Sequence, residues 1–124
     1  MNNKVLVVDD DDVVRHTVKR VLKQSGFDVT ECASGEECLK ALETGFHGLI
    51  LMDIVMPKMD GWETIDAMIR SGYAQNNIVC MLTGKETPDE KMNRYKEYVL
   101  DYITKPFDNR ELVDIVRQYL SYLS

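Results

Sequence analysis

The chain has 124 residues, of which 44% are apolar and 29% are charged, and its net charge at pH 7 is -6. This length suffices for one domain with a buried core and is too short for two. An acidic chain with a pI near 4.9 argues against a nucleic-acid or anionic-membrane partner. No apolar run approaches the ~20 residues of a membrane span, and the N-terminal residues do not form a secretory signal. The sequence therefore favours a cytoplasmic domain.

Five short apolar or β-branched runs predict strands, and amphipathic helical patterns separate them. The predicted strands are Lys4–Asp9, Asp28–Cys32, Gly48–Met52, Asn77–Leu82 and Asp101–Thr104. Strict alternation of strands and helices is typical of a parallel sheet with helices on both faces, joined by right-handed crossovers. The sequence therefore predicts a doubly wound α/β fold.

The first three helices have readable ends. In the first, Asp12 is the predicted N-cap and Asp11 a favourable charge at the helix start. Its apolar face and its end at a glycine are marked by Val14, Val18, Val21, Leu22 and Gly26. The second opens with a Ser34-x-x-Glu37 capping box and closes at Gly45, and the third follows Asp60-Gly61.

The last two helices differ in how much apolar surface they can bury. The fourth is predicted to start at the capping box of residues 87–90, and its apolar set is sparse: Met92, Tyr95 and Val99. A weakly held switching element and a merely exposed helix are both open readings of it. The fifth follows Asp108, its predicted cap, and has a continuous apolar stripe from Leu112 to Leu123.

Acidic residues end two of the predicted strands. Asp9 to Asp12 follow the first apolar run, and Asp53 ends the third. Parallel sheets place their ligand sites at the carboxyl ends of the strands, so these carboxylates are expected in one crevice. Two carboxylates 4 Å apart repel by roughly 4 kcal/mol at an effective dielectric near 20. We therefore expect the cluster to bind a cation.

Four segments in order resemble the receiver domain of two-component response regulators. They are Val7-Val8-Asp9-Asp10, Met52-Asp53-Ile54-Val55-Met56-Pro57-Lys58-Met59-Asp60-Gly61, Leu82-Thr83-Gly84 and Tyr102-Ile103-Thr104-Lys105-Pro106-Phe107. The resemblance covers essentially the whole chain. It implies a flavodoxin-like (βα)5 fold with strand order 2-1-3-4-5, and one receiver domain at residues 1–124 without an effector domain.

The resemblance also implies a site built on these strand ends. Asp53 would be the phosphoacceptor. Asp10 and Asp53 would hold Mg²⁺ directly with the main-chain carbonyl of Val55, and Asp9 would act mostly through water. Magnesium prefers six oxygen ligands and keeps several waters, so few carboxylates suffice.

Further residues match the family's remaining site positions. Lys105 would contact the acceptor carboxylate and later a phosphoryl oxygen, and its bond to Pro106 would be cis. Thr83 would hydrogen-bond the phosphoryl group, and the rotamer of Tyr102 would follow Thr83.

The loop after Asp53 and the end of the fourth helix are two further places to compare with the family. Pro57 and Gly61 are expected to shape the loop after Asp53, with glycine permitting unusual backbone angles. Tyr98 stands where many receivers have a glycine after the fourth helix, so either that helix ends differently or Tyr98 adopts a strained backbone. Lys85 is interpreted as a solvated lysine near the site.

The function implied by the resemblance is a phosphorylation-dependent switch. A sensor histidine kinase would donate the phosphoryl group, and the domain would assist its own phosphorylation and hydrolysis without turning over a separate substrate. Output would pass through the fourth helix, fifth strand and fifth helix to a downstream protein target or a phosphotransfer protein. A dimer of the phosphorylated form is left open.

Two rival functions are disfavoured by particular residues. An aspartyl phosphatase of the haloacid dehalogenase type needs a second aspartate two residues after the first, where this chain has Val55. A flavodoxin-like cofactor binder needs a phosphate loop rich in Gly, Ser or Thr after the first strand, where this chain has four aspartates.

Several residues that often mark sites are interpreted as structural. Trp62 and the seven methionines are expected to fill gaps in the core or on helix faces, and His16 and His47 lack partners for catalysis or metal binding. The cysteines are odd in number and lack metal-ligand spacing, which predicts buried, reduced thiols at Cys32, Cys38 and Cys80.

Overall fold

A single five-stranded parallel sheet forms the centre of the protein, and the computed structural model describes residues 2–84 and 90–123. The strand order is β2-β1-β3-β4-β5, as predicted. The strands are β1 (Lys4–Val8), β2 (Asp28–Cys32), β3 (Leu49–Asp53), β4 (Ile78–Thr83) and β5 (Val99–Thr104). The doubly wound α/β prediction is therefore confirmed.

Within the described residues, four helices connect these strands, a fifth follows β5, and the helices cover both faces of the sheet. They are α1 (Asp12–Gln24), α2 (Gly35–Glu43), α3 (Gly61–Arg70), α4 (Glu90–Arg94) and α5 (Asn109–Leu120). Short 3-10 helices occupy Ala74–Asn76 and Ser121–Leu123. The predicted start of the fourth helix, residues 87–89, and Lys85 lie outside the described residues.

Alternate side chains of the central strands divide the core into two layers. One layer contains Leu6, Ile50 and Met81 with residues of α2 and α3, and the other contains Val5, Leu51 and residues of α1 and α5. Every residue of β3 is buried, because helices pack on both of its faces and neighbouring strands on both of its edges. This explains why the strand appears in the sequence as a continuous apolar run.

Trp62, the three cysteines and four of the methionines, Met52, Met56, Met68 and Met81, are buried as expected, whereas Met59 and Met92 are partly buried, and Met1 lies outside the described residues. Trp62 is almost fully buried, and all three cysteines are buried free thiols. Burial raises the pKa of the Cys32 thiol to about 11 and that of Cys80 to about 12. Such thiols stay protonated at neutral pH and are poor nucleophiles.

The N-cap of α1 differs from the prediction. Asp11, rather than Asp12, has the extended cap conformation, and its Oδ1 accepts the main-chain N–H groups of Val13 and Val14 at 2.9 and 3.3 Å. Asp12 is the first helical residue, where its charge favours the helix N-terminus. A run of acceptable caps does not specify which one is used. Ser34 and Asp108 cap α2 and α5 as predicted.

The boundary between α4 and β5 also differs from the prediction. Val99, assigned to the apolar face of the fourth helix, is the first residue of β5 and pairs with Val79 of β4. The N–H of Tyr98 donates to the carbonyl of Tyr95 at 2.9 Å. Among the described residues other than glycine, only Lys58 has a positive φ. The helix therefore ends differently, without strain at Tyr98.

Gly61 matters for close packing and does not supply an unusual backbone angle. It is the first residue of α3, and its φ is not positive; within the preceding loop Lys58 has the left-handed conformation, with φ of 68°. A Cβ on Gly61 would lie 2.6 Å from the carbonyl oxygen of Asp53 and 2.8 Å from Cε of Met81. The missing side chain lets α3 begin directly against the end of β3.

We predict that Gly61→Ala destabilises the protein by about 1–3 kcal/mol, because overpacking against a main-chain atom outweighs the gain in helix propensity. Gly84→Ala is the control, since a Cβ there meets nothing within 4 Å among residues 2–84 and 90–123, and φ is not positive. Urea unfolding measures the free energy of unfolding of both variants. Equal stabilities of the two variants would contradict the prediction.

Candidate functional site

The carboxyl ends of four strands meet at one edge of the sheet. The register pairs Val8 with Met52, Asp53 with Leu82, and Thr83 with Thr104. Asp53 and Thr83 are therefore the last residues of their strands, one position later than predicted. Asp9 and Lys105 each follow directly after a strand end. The strand topology alone thus brings residues from four separate parts of the sequence to one crevice.

Three carboxylates converge in this crevice. One oxygen each from Asp9, Asp10 and Asp53 lies within 4.8 Å of the others. Asp9 is fully buried and Asp53 is 8% exposed, whereas Asp10 is exposed. Hard carboxylate oxygens with one member open to solvent suit Mg²⁺, which retains several waters on binding. The residues present therefore fit the cation that was expected from the sequence.

Lys105 supplies positive charge inside the cluster. Its Nζ lies 2.8 Å from Oδ2 of Asp9 and 3.4 Å from Oδ1 of Asp53, and 23% of the side chain is exposed. Burial alone would lower the pKa of this ammonium, but its contacts with Asp9 and Asp53 more than offset this and raise the pKa. Lys105 therefore stays charged, and its bond to Pro106 is cis, as predicted.

The surroundings of Asp53 raise the pKa of its carboxyl group. Burial, followed by repulsion from Asp9, raises the pKa of Asp53 to about 6, although Lys105 and the main-chain N–H of Val55 act in the opposite direction. The ammonium of Lys105 does not fully compensate for burial and for the charge of Asp9. At neutral pH the Asp53 carboxylate is therefore ionised but poorly stabilised, which is a suitable state for a cation ligand or a nucleophile.

Asp9 is fixed from both its side chain and its backbone. Its Oδ1 accepts the main-chain N–H of Asp11 at 2.9 Å, and its Oδ2 accepts the Lys105 ammonium. Its carbonyl oxygen accepts Nη1 of Arg15 at 2.8 Å. Both carboxylate oxygens thus have protein partners before any cation is bound.

Arg15 is the site-adjacent residue that the sequence analysis missed. The helical stripe in α1 was assigned from Val14, Val18 and Leu22, although Arg15 precedes Val18 by three positions and Leu22 by seven. A basic residue on the buried face of a helix, directly after an acidic run, is the signal that could have identified it.

Thr83 and Tyr102 lie on neighbouring strands beside the cluster. Thr83 is largely buried, and its carbonyl accepts the N–H of Lys105 at 2.7 Å. The hydroxyl oxygen of Tyr102 is buried and has no hydrogen-bond partner within residues 2–84 and 90–123. The Tyr102 ring lies 6.4 Å from that of Trp62, so the tyrosine points inward.

Other candidate residues lie at the rim of the cluster or outside it. The side chain of Val55 is exposed beside Asp53, where the rival phosphatase would need an acid. His16 Nδ1 lies 2.7 Å from Oε1 of Glu31, outside the carboxylate cluster. His47 is an exposed loop residue whose carbonyl accepts the side chain of Asn2.

A protein-family model describing the response regulator receiver domain matches residues 5–117. Among curated relatives, the chain is 38% identical over 112 residues to the alkaline phosphatase synthesis transcriptional regulatory protein PhoP of Bacillus subtilis, covering 90% of this chain and 46% of that protein. It is 31% identical over 120 residues to the transcriptional regulatory protein SrrA of Staphylococcus aureus, covering 97% and 48%. The chain thus spans about half the length of the curated relatives it matches.

Solved structures show the same similarity. A CheY-like receiver domain protein from Methanospirillum hungatei superposes with a TM-score of 0.91 at 44% identity, covering 97% of this chain and 95% of that chain. The Vibrio cholerae chemotaxis protein CheY4 gives a TM-score of 0.84 at 30% identity, covering 95% and 98%. None of the helices within residues 2–84 and 90–123 has the length and apolar character of a transmembrane span.

We predict that Asp53→Asn stabilises the cation-free protein at pH 7.5 by about 1–3 kcal/mol. The folded-state pKa of Asp53, about 6, lies above its ordinary value of 3.8. The folded protein therefore binds this proton more tightly than the unfolded chain, and stability falls as pH rises from about 4 to 6. The advantage of the variant should shrink towards zero as pH is lowered to about 4.

Urea unfolding of both proteins across this pH range, without divalent cations, measures the difference. Asp114→Asn, which removes an exposed carboxylate of α5, is the control and should show little pH-dependent difference from the parent. A pH-independent gain, or a loss of stability at pH 7.5, would contradict the raised pKa assigned to Asp53.

Proposed function

The chain belongs to the response regulator receiver domain family of two-component systems, and from this membership we propose that Asp53 accepts a phosphoryl group from a phosphohistidine of a sensor kinase. The observation that supports this most strongly is the convergence of Asp9, Asp10 and Asp53 on one cluster, with the Lys105 ammonium between two of them. This is the charge arrangement that phosphoryl transfer to a carboxylate requires.

The proposed transfer uses the electron-rich carboxylate of Asp53 as nucleophile. One carboxylate oxygen attacks the phosphorus in line, forming an O–P bond as the N–P bond to the donor imidazole breaks. The bonding pair returns to the imidazole nitrogen, and Asp53 becomes an acyl phosphate. The pKa of Asp53 is below neutral pH, so the nucleophile needs no general base.

The site's cationic groups would stabilise the charge on the transferring phosphoryl oxygens. Mg²⁺, when bound by Asp10, Asp53 and the main-chain carbonyl of Val55, would supply Lewis-acid charge neutralisation. Asp9, whose two oxygens are already engaged, would act mostly through water. Lys105, whose Nζ lies 3.4 Å from Oδ1 of Asp53, would move from the acceptor carboxylate to an oxygen of the phosphoryl group attached there.

We propose that phosphorylation changes the surface formed by α4, β5 and α5. A phosphoryl group adds a charge of about -1.5 to -2 and new acceptor oxygens, which would draw the Thr83 hydroxyl inward. Tyr102 would then repack against Trp62 and Tyr95. The two latter rings already stack with centroids 5.7 Å apart and planes 17° apart. Tyr95 directly follows α4, and its N–H donates to the carbonyl of Lys91 at 3.0 Å, so a movement of Tyr102 would be transmitted to α4.

The proposed output surface has features suited to docking. Leu100 of the edge strand β5 and Tyr122 after α5 are 49% and 61% exposed. A hollow of about 310 Å³ lies between β5 and α5, lined in part by Tyr102, Phe107 and Ile115. We propose a downstream protein or a phosphotransfer protein as its partner, in the cytoplasm, without contact between this domain and nucleic acid.

The first test is phosphorylation by acetyl phosphate with Mg²⁺, followed by intact-mass measurement. Wild type should gain one phosphoryl group, and Asp53→Asn should gain none. Lys105→Met should react more slowly by on the order of a hundredfold, because one charge-stabilising donor is lost. Asp114→Asn should react like wild type. Labelling of Asp53→Asn at the wild-type rate would refute the assignment of the acceptor.

The switch is tested with beryllofluoride and Mg²⁺, using the emission of the buried Trp62. Wild type should show a changed emission as Tyr102 moves against Trp62. Thr83→Ala should still bind beryllofluoride, detectable by fluorine NMR, with a much smaller emission change, whereas Thr83→Ser should keep the response. An undiminished emission change in Thr83→Ala would contradict the proposed coupling.

A further inference from the structure

Arg15 is a buried charge with an unusual set of partners. It is 8% exposed, on the face of α1 that also buries Val18 and Leu22. A buried guanidinium is tolerated when its donors are satisfied and its charge is compensated. The positions of its three hydrogen-bond acceptors therefore indicate which segments Arg15 holds in place.

The guanidinium connects three segments that surround the start of the acidic crevice. Nη1 donates to the carbonyl oxygen of Asp9 at 2.8 Å, Nη2 to Oδ1 of Asp12 at 2.6 Å, and Nε to Oε1 of Glu31 at 3.0 Å. These acceptors belong to the residue after β1, the first turn of α1, and β2. The planar fork of arginine reaches all three at once, which a lysine ammonium on a single stem does not reproduce.

The contact with the Asp9 carbonyl is made to the backbone of a member of the carboxylate cluster. It fixes the peptide plane that links Asp9 to Asp10. The Asp9 side chain is held separately, by Lys105 and by the N–H of Asp11. Arg15 and Lys105 thus restrain the same residue from opposite ends, and the β1–α1 turn has little freedom to rotate the two carboxylates away from Asp53.

The positive charge of Arg15 also favours its role in holding the β1–α1 turn. Arg15 lies behind four consecutive aspartates and pairs with Asp12 at 2.6 Å, so it offsets part of the repulsion along that run. Burial would lower its pKa, but the hydrogen bonds and charges of Asp12 and Glu31 more than compensate and raise the pKa. Arg15 therefore stays ionised.

We propose that Arg15 is a positioning residue for the cation site: through the Asp9 carbonyl it holds the β1–α1 turn in the conformation that directs Asp9 and Asp10 towards Asp53, and it thereby sets the affinity for Mg²⁺. The inference rests on the proposed Mg²⁺ dependence of the domain. Arg15 contacts neither the cation nor the phosphoryl group in this account, and its whole effect is transmitted through Asp9.

The chain offers a matched control for this proposal. Lys19 also lies on α1 and also pairs with Glu31, at 3.8 Å. The structure gives it no hydrogen bond to Asp9 within the described residues. Removing Lys19 therefore perturbs the same helix and the same glutamate while leaving the Asp9 carbonyl held.

The test is calorimetric titration of the whole chain with MgCl₂ at pH 7.5, with folding checked by circular dichroism. We expect Arg15→Met to weaken Mg²⁺ binding by about tenfold or more, as is typical when the support of a metal ligand is removed. Arg15→Lys should recover little of this affinity, and Lys19→Met should bind within about twofold of wild type. Unfolding in urea gives the stability of each variant separately.

A purely structural Arg15 would lower stability and leave the Mg²⁺ affinity of the folded protein unchanged, and this result would overturn the proposal. If Arg15→Met does not fold, Glu31→Leu removes the acceptor that holds Nε and should weaken Mg²⁺ binding by a smaller factor, because the guanidinium is then held less firmly against the Asp9 carbonyl; unchanged binding there overturns the proposal too. Absence of Mg²⁺ binding by wild type would instead refute the cation site itself.

Discussion

The repulsion among Asp9, Asp10 and Asp53 is the interaction on which the rest of the site depends. Parallel strands oblige their carboxyl ends to share one edge, so a sequence that ends two adjacent strands in aspartate concentrates negative charge there. Lys105 offsets part of this charge. Burial of Asp53 and the remaining repulsion from Asp9 together raise the pKa of Asp53 to about 6. Both a bound cation and a change in charge at Asp53 therefore alter the energy of the whole crevice.

The strands and most of the site could be predicted from the sequence because the signals involved are local. Continuous apolar runs identify strands buried on both faces, and a polar residue ending such a run marks the ligand edge. The choice between Asp11 and Asp12 as helix cap, by contrast, depends on backbone geometry. Val99 looked helical because its spacing fitted α4, whereas pairing with β4 places it in a strand.

Arg15 and Gly61 are two residues whose roles are not revealed by local sequence patterns. Arg15 was masked by the aliphatic residues around it, and its acceptors include a backbone carbonyl and a glutamate on β2, sixteen positions away. Gly61 is needed because the carbonyl oxygen of Asp53 lies only 2.6 Å from the position a Cβ would take. Both depend on how separate elements approach one another in three dimensions. Composition and periodicity contain little information about such approaches.

The carboxylates at the ends of β1 and β3 are proposed to form one cation site. Paramagnetic line broadening by substoichiometric Mn²⁺, read from assigned amide resonances, would locate the bound ion. We expect broadening centred on Asp9, Asp10 and Asp53 with their neighbours at the ends of β4 and β5, competed away by Mg²⁺. Broadening spread over other surface carboxylates, or none at these strand ends, would contradict it.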